Sequence, residues 1–278
     1  MQFIILGSAQ DAGIPQIGCY CKNCNNARNK LGLKRLGPSA AFFDKEKNFC
    51  YLLDASPDIK YQIDIINKTL PNANKQSSLP IKGVFLTHSH FGHCSGLWSL
   101  GLECINAKEI QVFCTEKMGE FLKNNHPFKQ LFSRKNLSLF SMKINYEYPL
   151  ENFNIKAIKV PHREEFSDTV CFLIKGTKEL LYLPDIDYWT TDLIKLVKNV
   201  DIAFIDGTFY SKDDIPHMDK VPHPPIIETM GNFHRTSTEI YFTHFNHTNP
   251  ILPLESLERK NVLEKGFKIA EEELLIEF

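Results

Sequence analysis

Residues 83–97 read GVFLTHSHFGHCSGL. A short apolar run, Val84, Phe85 and Leu86, ends in Thr87. His88, His90 and His93 follow, with Gly92 and Gly96 between and after them. The run reads as a buried strand, and the part from Ser95 onward reads as a helix. The three imidazoles are therefore expected on the tight turn that leaves a strand. Neutral imidazole is the commonest side-chain metal ligand. Three of the chain's ten histidines fall within six residues, which points to a metal site rather than to a polar loop.

Outward from this turn the same event recurs. The strand FNIKAIKV (153–160) runs into Pro161, His162 and Arg163. LLYL (180–183) is followed by Asp185 and Asp187, DIAFIDGTFY (201–210) carries Asp206, and Ile240–Thr243 runs into His244 and then His247. Upstream, strands at 40–43 and 49–53 form a predicted hairpin whose second strand ends at Asp54. A carboxylate there can accept backbone N–H bonds and orient a neighbouring loop. Asp58 is expected to supply negative charge at the start of an amphipathic helix with Ile59, Ile63 and Ile66 inward. Further strands are predicted at 2–7, 110–114, 137–142, 169–174 and 273–278. Helices are predicted at 116–125, 189–199, 226–236 and 254–265. A polar loop is expected over 71–80, a mixed connection over 126–137, and a Pro-rich loop with His217 and His223 over 211–225. Ligands gathered from several strand ends make a preorganised site.

A second cluster lies near the start. Cys19, Cys21 and Cys24 form C-x-C-x-x-C, which needs one more donor to complete a tetrahedral zinc site. No thioredoxin-like context follows, so a redox role is not supported. The 278 residues are 43% hydrophobic and 12% aromatic, enough for a sizeable core. A net charge of −1, from 32 basic and 33 acidic residues, supports neither a nucleic-acid nor a membrane-surface partner. No apolar run approaches the ~18–20 residues that span a bilayer. MQFIILGSAQDAG reads as a first strand rather than a signal peptide. Eight cysteines in a chain of this length read as reduced thiols in a cytoplasmic protein. Cys50, Cys94, Cys104, Cys114 and Cys171 sit in apolar contexts and receive no role. Phe209, Tyr210 and Trp189, near strand ends, are candidates to line a pocket.

HSHFGH resembles the HxHxDH signature of the metallo-β-lactamase superfamily, with Gly92 where the family has Asp. The resemblance implies an α+β fold, a four-layer αββα sandwich forming one domain over 1–278, with metals at one edge of the two sheets. It implies His88, His90, His162 and Asp185 as ligands of a first metal. His93, His244 and a shared Asp185 would hold a second, one carboxylate short. Asp54 takes a supporting place beside the ligands. LGSAQDAGIPQIGCYCKNC, DASPDI, VPH, PDID, DGTFY and HTNP resemble one branch of the superfamily. That branch includes the pyrroloquinoline quinone biosynthesis B proteins and the phosphonate-pathway cyclic phosphodiesterases. In it, a His three residues after the last motif His closes a structural zinc site, here Cys19, Cys21, Cys24 and His247.

These implications give a ranked expectation. First is a metal-dependent hydrolase acting on a small ester, lactone or phosphodiester, anionic substrates included. Asp185 would orient the attacking water, His223 protonate the leaving group and Arg163 pair with an anionic substrate group. Second is an iron-dependent oxidative enzyme in pyrroloquinoline quinone biosynthesis, since imidazoles with one carboxylate suit non-haem iron. Third is a non-catalytic binding or carrier protein that keeps the fold. The cofactors expected are a structural zinc and one or two divalent ions, Zn, Mn or Fe, at the histidines. The partner expected is a small-molecule substrate, with the oligomeric state left open.

Overall fold

The computed structural model describes residues 1–30, 33–70, 79–214 and 221–278. His217 and most of the loop expected at 71–80 lie outside them. Two seven-stranded sheets form in chain order. The first collects β1 (Gln2–Gly7), β2 (Ser39–Asp44), β3 (Phe49–Leu53), β4 (Ile81–Phe85), β5 (Ile110–Thr115) and β6 (Leu137–Met142). The second collects β7 (Glu147–Leu150), β8 (Phe153–Lys159), β9 (Val170–Lys175), β10 (Glu179–Leu183), β11 (Ile202–Asp206), β12 (Glu239–Thr243) and β13 (Lys268–Ile269). The last strand, β14 (Leu275–Glu277), returns to pair antiparallel with β1.

The central strands are apolar on both faces because both faces are covered. On β1, Phe3 and Ile5 point between the sheets, while Ile4 and Leu6 point to the outer helices. Aromatic rings fill the gap between the sheets: Phe3 meets Phe204 at 4.8 Å, Phe42 meets Phe153 at 4.7 Å and Phe85 meets Phe172 at 5.5 Å. Each such buried ring is worth roughly 1.5–3 kcal/mol. α1 (Lys22–Asn29) lies beside the cysteines on the side of the second sheet, whereas outside the first sheet lie α2 (Ile59–Thr69), α3 (Phe91–Cys94), α4 (Glu116–Asn124) and α5 (Phe128–Ser133). Outside the second lie α6 (Thr191–Lys198), α7 (Ile226–Phe233) and α8 (Leu257–Glu264). Side chains from α2, α4 and α5 join the first outer core; those from α1, α6, α7 and α8 join the second. This is the expected αββα sandwich. Among the described residues, no helix is long and apolar enough to cross a membrane.

Several local expectations change. The predicted helix from Ser95 is a one-turn α3 over the histidines followed by a 3₁₀ segment, Ser95–Leu100. Gly96 packs so closely on the loop after β3 that a Cβ there would lie 2.2 Å from the Ser56 carbonyl oxygen. The mixed connection contains α5, and the short edge strands β7 and β13 carry too few residues to show a period. Asp58 makes no side-chain cap on α2; its carboxylate accepts the Gly37 N–H at 2.8 Å. Ile59 and Ile66 are buried as expected, with Ile65 beside them and Ile63 only partly covered.

What matters for function is where the strands end. β3, β4, β5 and β6 run parallel, as do β10, β11, β12 and β13. The Val170 N–H donates to the Thr87 carbonyl, tying the start of β9 to the exit of β4. Loops after β3, β4, β8, β10, β11 and β12 thus meet at one edge of the sandwich, the usual place for a ligand in parallel sheets.

Candidate metal centre

The histidine turn is held by Asp54, which is fully buried beyond β3. Asp54 accepts the Thr87 N–H at 2.8 Å, the Thr87 hydroxyl at 2.9 Å and His93 Nδ1–H at 2.8 Å. Having given its proton to Asp54, the Thr87 hydroxyl accepts from His88 Nδ1 at 2.9 Å. The same device recurs across the site. Asp206 accepts the Thr208 hydroxyl at 2.8 Å and His223 Nδ1–H at 2.7 Å, and Thr208 in turn accepts from His244 Nδ1 at 3.0 Å. Asp187 accepts His162 Nδ1–H at 2.7 Å. A hydrogen bond at Nδ1 fixes the tautomer and leaves the Nε2 lone pair for another partner. His88, His93, His162, His223 and His244 are all set in this way.

Those lone pairs of His88, His93, His162 and His244 converge on Asp185, whereas His223 faces the same carboxylate with Nδ1, 3.4 Å from Oδ1. His162 Nε2 lies 3.3 Å from His90 Nδ1, and His93 Nε2 lies 3.3 Å from His244 Nε2. Asp185 stands between the two pairs: Oδ1 is 3.3 Å from His162 Nε2, while Oδ2 is 3.5 Å from His88, 3.6 Å from His93 and 3.5 Å from His244. His88 Nε2, Asp185 Oδ1 and His223 Nε2 are buried with no hydrogen-bond partner. Buried groups of this kind call for a cation or a proton. The donor sets fit divalent metal: the ligand atoms of His88, His90, His162 and Asp185 lie within 4.8 Å of one another, as do those of Asp185, His223 and His244.

Burial, helped by the other imidazoles, holds His88, His162 and His244 neutral well below the ordinary range. Burial opposes charge on His93 and His223 too, but the facing Asp54 and Asp206 carboxylates outweigh it and lift each to about 9. Burial pushes Asp185 up to about 7 in the absence of an ion. Asp54 and His244 adopt positive φ, 60° and 62°, the backbone state that non-glycine residues keep where the surrounding structure demands it.

The second cluster forms as a separate unit. Cys19, Cys21 and Cys24 Sγ lie 3.4, 3.5 and 3.6 Å from His247 Nδ1. With Zn–S near 2.3 Å and Zn–N near 2.1 Å, a tetrahedral S···N edge is about 3.6 Å, so the group fits zinc. The Asn23 amide holds the strand exit by donating to the carbonyls of His247 and Asn249.

All ten side chains expected to bind metal therefore fall into these two clusters. The structure adds partners that the sequence reading left without a role: Thr87, Thr208 and Asp187 orient rings, and Asp11 lies with His93 and His244, their donor atoms within 4.8 Å of one another. The expected pocket aromatics separate. Phe209 packs edge-on against His223 at 5.6 Å, whereas Trp189 packs edge-on against Phe233 and Tyr210 accepts from Asn261, both within the helix layer.

The family model for the beta-lactamase superfamily domain matches residues 50–245, from β3 to the residue after His244. The chain belongs to the beta-lactamase superfamily. Over 306 residues it is 29% identical to coenzyme PQQ synthesis protein B of Ectopseudomonas mendocina, covering 97% of each chain. It is 27% identical to that of Pseudomonas putida over the full length of both. The Zn(2+)-bound PqqB from Methylobacterium extorquens superposes with a TM-score of 0.84 at 26% identity, covering 100% of each chain. A diphosphatase of the PhnP family shares the fold, with a TM-score of 0.72 at 21% identity, covering 100% of this chain and 96% of the other.

Proposed function

We propose that this PqqB-like superfamily member is a metal-dependent hydrolase of a small ester, lactone or phosphodiester. The observation that carries the reading is the convergence of oriented ring nitrogens from two sides on the buried carboxylate of Asp185. His88, His90, His162 and Asp185 would hold one ion; His93 and His244, sharing Asp185, belong to a second. A divalent ion held there would supply a water with a pKa lowered toward about 7 and would polarise a substrate oxygen. Asp185 directs the attacking water toward the substrate. His223, held through Nδ1 by Asp206, whose charge favours the doubly protonated ring, would give the proton carried on Nε2 to the leaving group. Arg163 adjoins His162, and its buried Nε has no partner; it binds an anionic substrate group. Cys19, Cys21, Cys24 and His247 hold a structural zinc.

A second reading, an iron-dependent oxidative step in pyrroloquinoline quinone biosynthesis, is favoured by full-length similarity to PQQ synthesis proteins B. One experiment separates the two. Protein purified without added metal is assayed for its ions, for hydrolysis of phosphodiesters and lactones, and for O₂ uptake with quinone precursors. Zinc or manganese with O₂-independent turnover that His88→Ala abolishes is the expected result. Iron with O₂ consumption would replace the hydrolase reading, and an ion with neither activity would leave a binding protein.

A further inference from the structure

We infer that Asp11 is the carboxylate ligand of the second metal position, replacing the motif acid that Gly92 displaces. The inference rests on the metal-centre reading above and adds a residue to it. Three observations support it, and none depends on protonation.

The first is the partnering of the carboxylate. Asp11 Oδ1 is buried with no hydrogen-bond partner. Leaving an acceptor oxygen buried and unmatched is costly. Its carboxylate groups with His93 and His244, the two imidazoles that the sequence left one acid short. Two neutral imidazoles with the carboxylates of Asp11 and Asp185 would balance the charge of a divalent ion.

The second is the space at Gly92. A Cβ built on Gly92 would lie 2.2 Å from Asp11 Oδ1, 2.4 Å from Asp11 Cα and 2.8 Å from Asp11 Cβ. No side chain fits at position 92 while the loop after β1 holds this course. The Asp11 carboxylate thus stands where a side chain from position 92 would begin. Gly92 is the gap through which an acid from another part of the chain enters.

The third is the backbone that carries it. Asp11 has φ +23°, a state that non-glycine residues rarely take and that is held here from both sides. Phe245 N–H donates to the Ser8 carbonyl and Gln10 N–H to the Phe245 carbonyl, pinning the loop to the turn between His244 and His247. Gly13 N–H closes the turn on Gln10. A strained residue fixed beside the last histidine of the site, with an unmatched buried oxygen, has the marks of a ligand.

The test counts ions. Metal-free full-length protein is titrated with Co²⁺ under reducing conditions. Thiolate charge-transfer bands report the cysteine group, and d–d bands with calorimetry report the histidine group. Asp11→Asn keeps the shape of the side chain and weakens a ligand. It should lower the affinity of one of two histidine-group ions by about 100-fold or more, beyond what loss of an outer partner costs. The other ion and the thiolate bands should not change. Gly92→Ala keeps every donor atom but evicts Asp11, and should produce the same selective loss. Circular dichroism and Tm of the metal-free variants report folding. Two ions bound at wild-type affinity in folded Asp11→Asn would overturn the assignment. So would a wild-type histidine group that binds a single ion; that result leaves the first metal position standing, whereas no histidine-group ion at all would remove the metal-centre reading too.

Discussion

The cysteine group and the histidine group share one short turn, with His247 in one and His244 in the other, yet they are built in opposite ways. Three of the four cysteine-group donors come from a single six-residue stretch, and only His247 must arrive from elsewhere in the fold. Cys19 and Cys21 are half-exposed, and the group is supported by α1, Asn23 and the backbone N–H groups of Gln16 and Cys21, which donate to Cys24 and Cys19 Sγ. The histidine group draws its donors from the exits of four strands. It is buried, and each oriented imidazole is braced through a carboxylate or a hydroxyl. A local cluster with every position filled by protein suits a structural ion. An assembled cluster with spare ring nitrogens and a shared carboxylate suits chemistry.

The contrast can be broken most sharply at Asp185. Asp185→Ala removes the carboxylate that faces both histidine pairs, and turnover should fall by more than about 100-fold, the upper end for outer-shell partners. Steady-state rates with metal analysis check this, and the thiolate-bound ion should be retained. Next is an asymmetry. Cys21→Ser should release the cysteine-group ion and lower Tm by at least about 5 °C, on the scale of a few kcal/mol in a chain of this size. Because the loop from Ser8 to Cys24 also carries Asp11, Cys21→Ser should weaken one histidine-group ion as well. His88→Ala should leave the thiolate-bound ion untouched, as parallel cobalt titrations can show.

A smaller effect is expected behind the ligands. Asp54→Asn preserves packing but withdraws the charge that fixes His93, and should lower metal affinity by about 10–100-fold, measured by competition with a chelator. The smallest effect concerns the metal-free protein. His93 and His223 are lifted to about 9 when folded, so they stabilise fully below pH 6.5 and lose that contribution as pH rises toward 9. Asp185, lifted to about 7 by burial, acts in the same direction between pH 4 and 7. His88, His162 and His244, lowered by burial, destabilise the folded state as pH falls below 6.5. Metal-free Tm should therefore decline on the alkaline side of pH 6.5, and added zinc should flatten that decline, as thermal scans across pH would reveal.

Much of this is legible in the sequence. Apolar runs that stop at a His or Asp mark strand exits, and strand exits in a layered sandwich gather at one edge; His88, His162, Asp185, Asp206 and His244 all follow that rule. The cysteine spacing was legible for the opposite reason, since its information is local. Pairing across the chain is not legible there, because it is not local. Nothing around Asp11 signals a ligand, and its meaning appears only when Gly92 lies against it. Thr87 and Thr208 read as ordinary strand-end residues until their hydroxyls are seen to link a carboxylate to an imidazole. Edge strands of two to four residues and a one-turn helix are too short to show a period. Trp189 and Tyr210 stood near strand ends in sequence, but the helix layer claims them.

The most direct measurement is the ion content of protein purified without added metal, compared among wild type, His88→Ala and Cys21→Ser. The account predicts that His88→Ala loses histidine-group metal while keeping the thiolate-bound zinc. Wild type carrying only the ion that Cys21→Ser removes, with none recruited by the histidine group on titration, would contradict a catalytic metal centre at this edge of the sandwich.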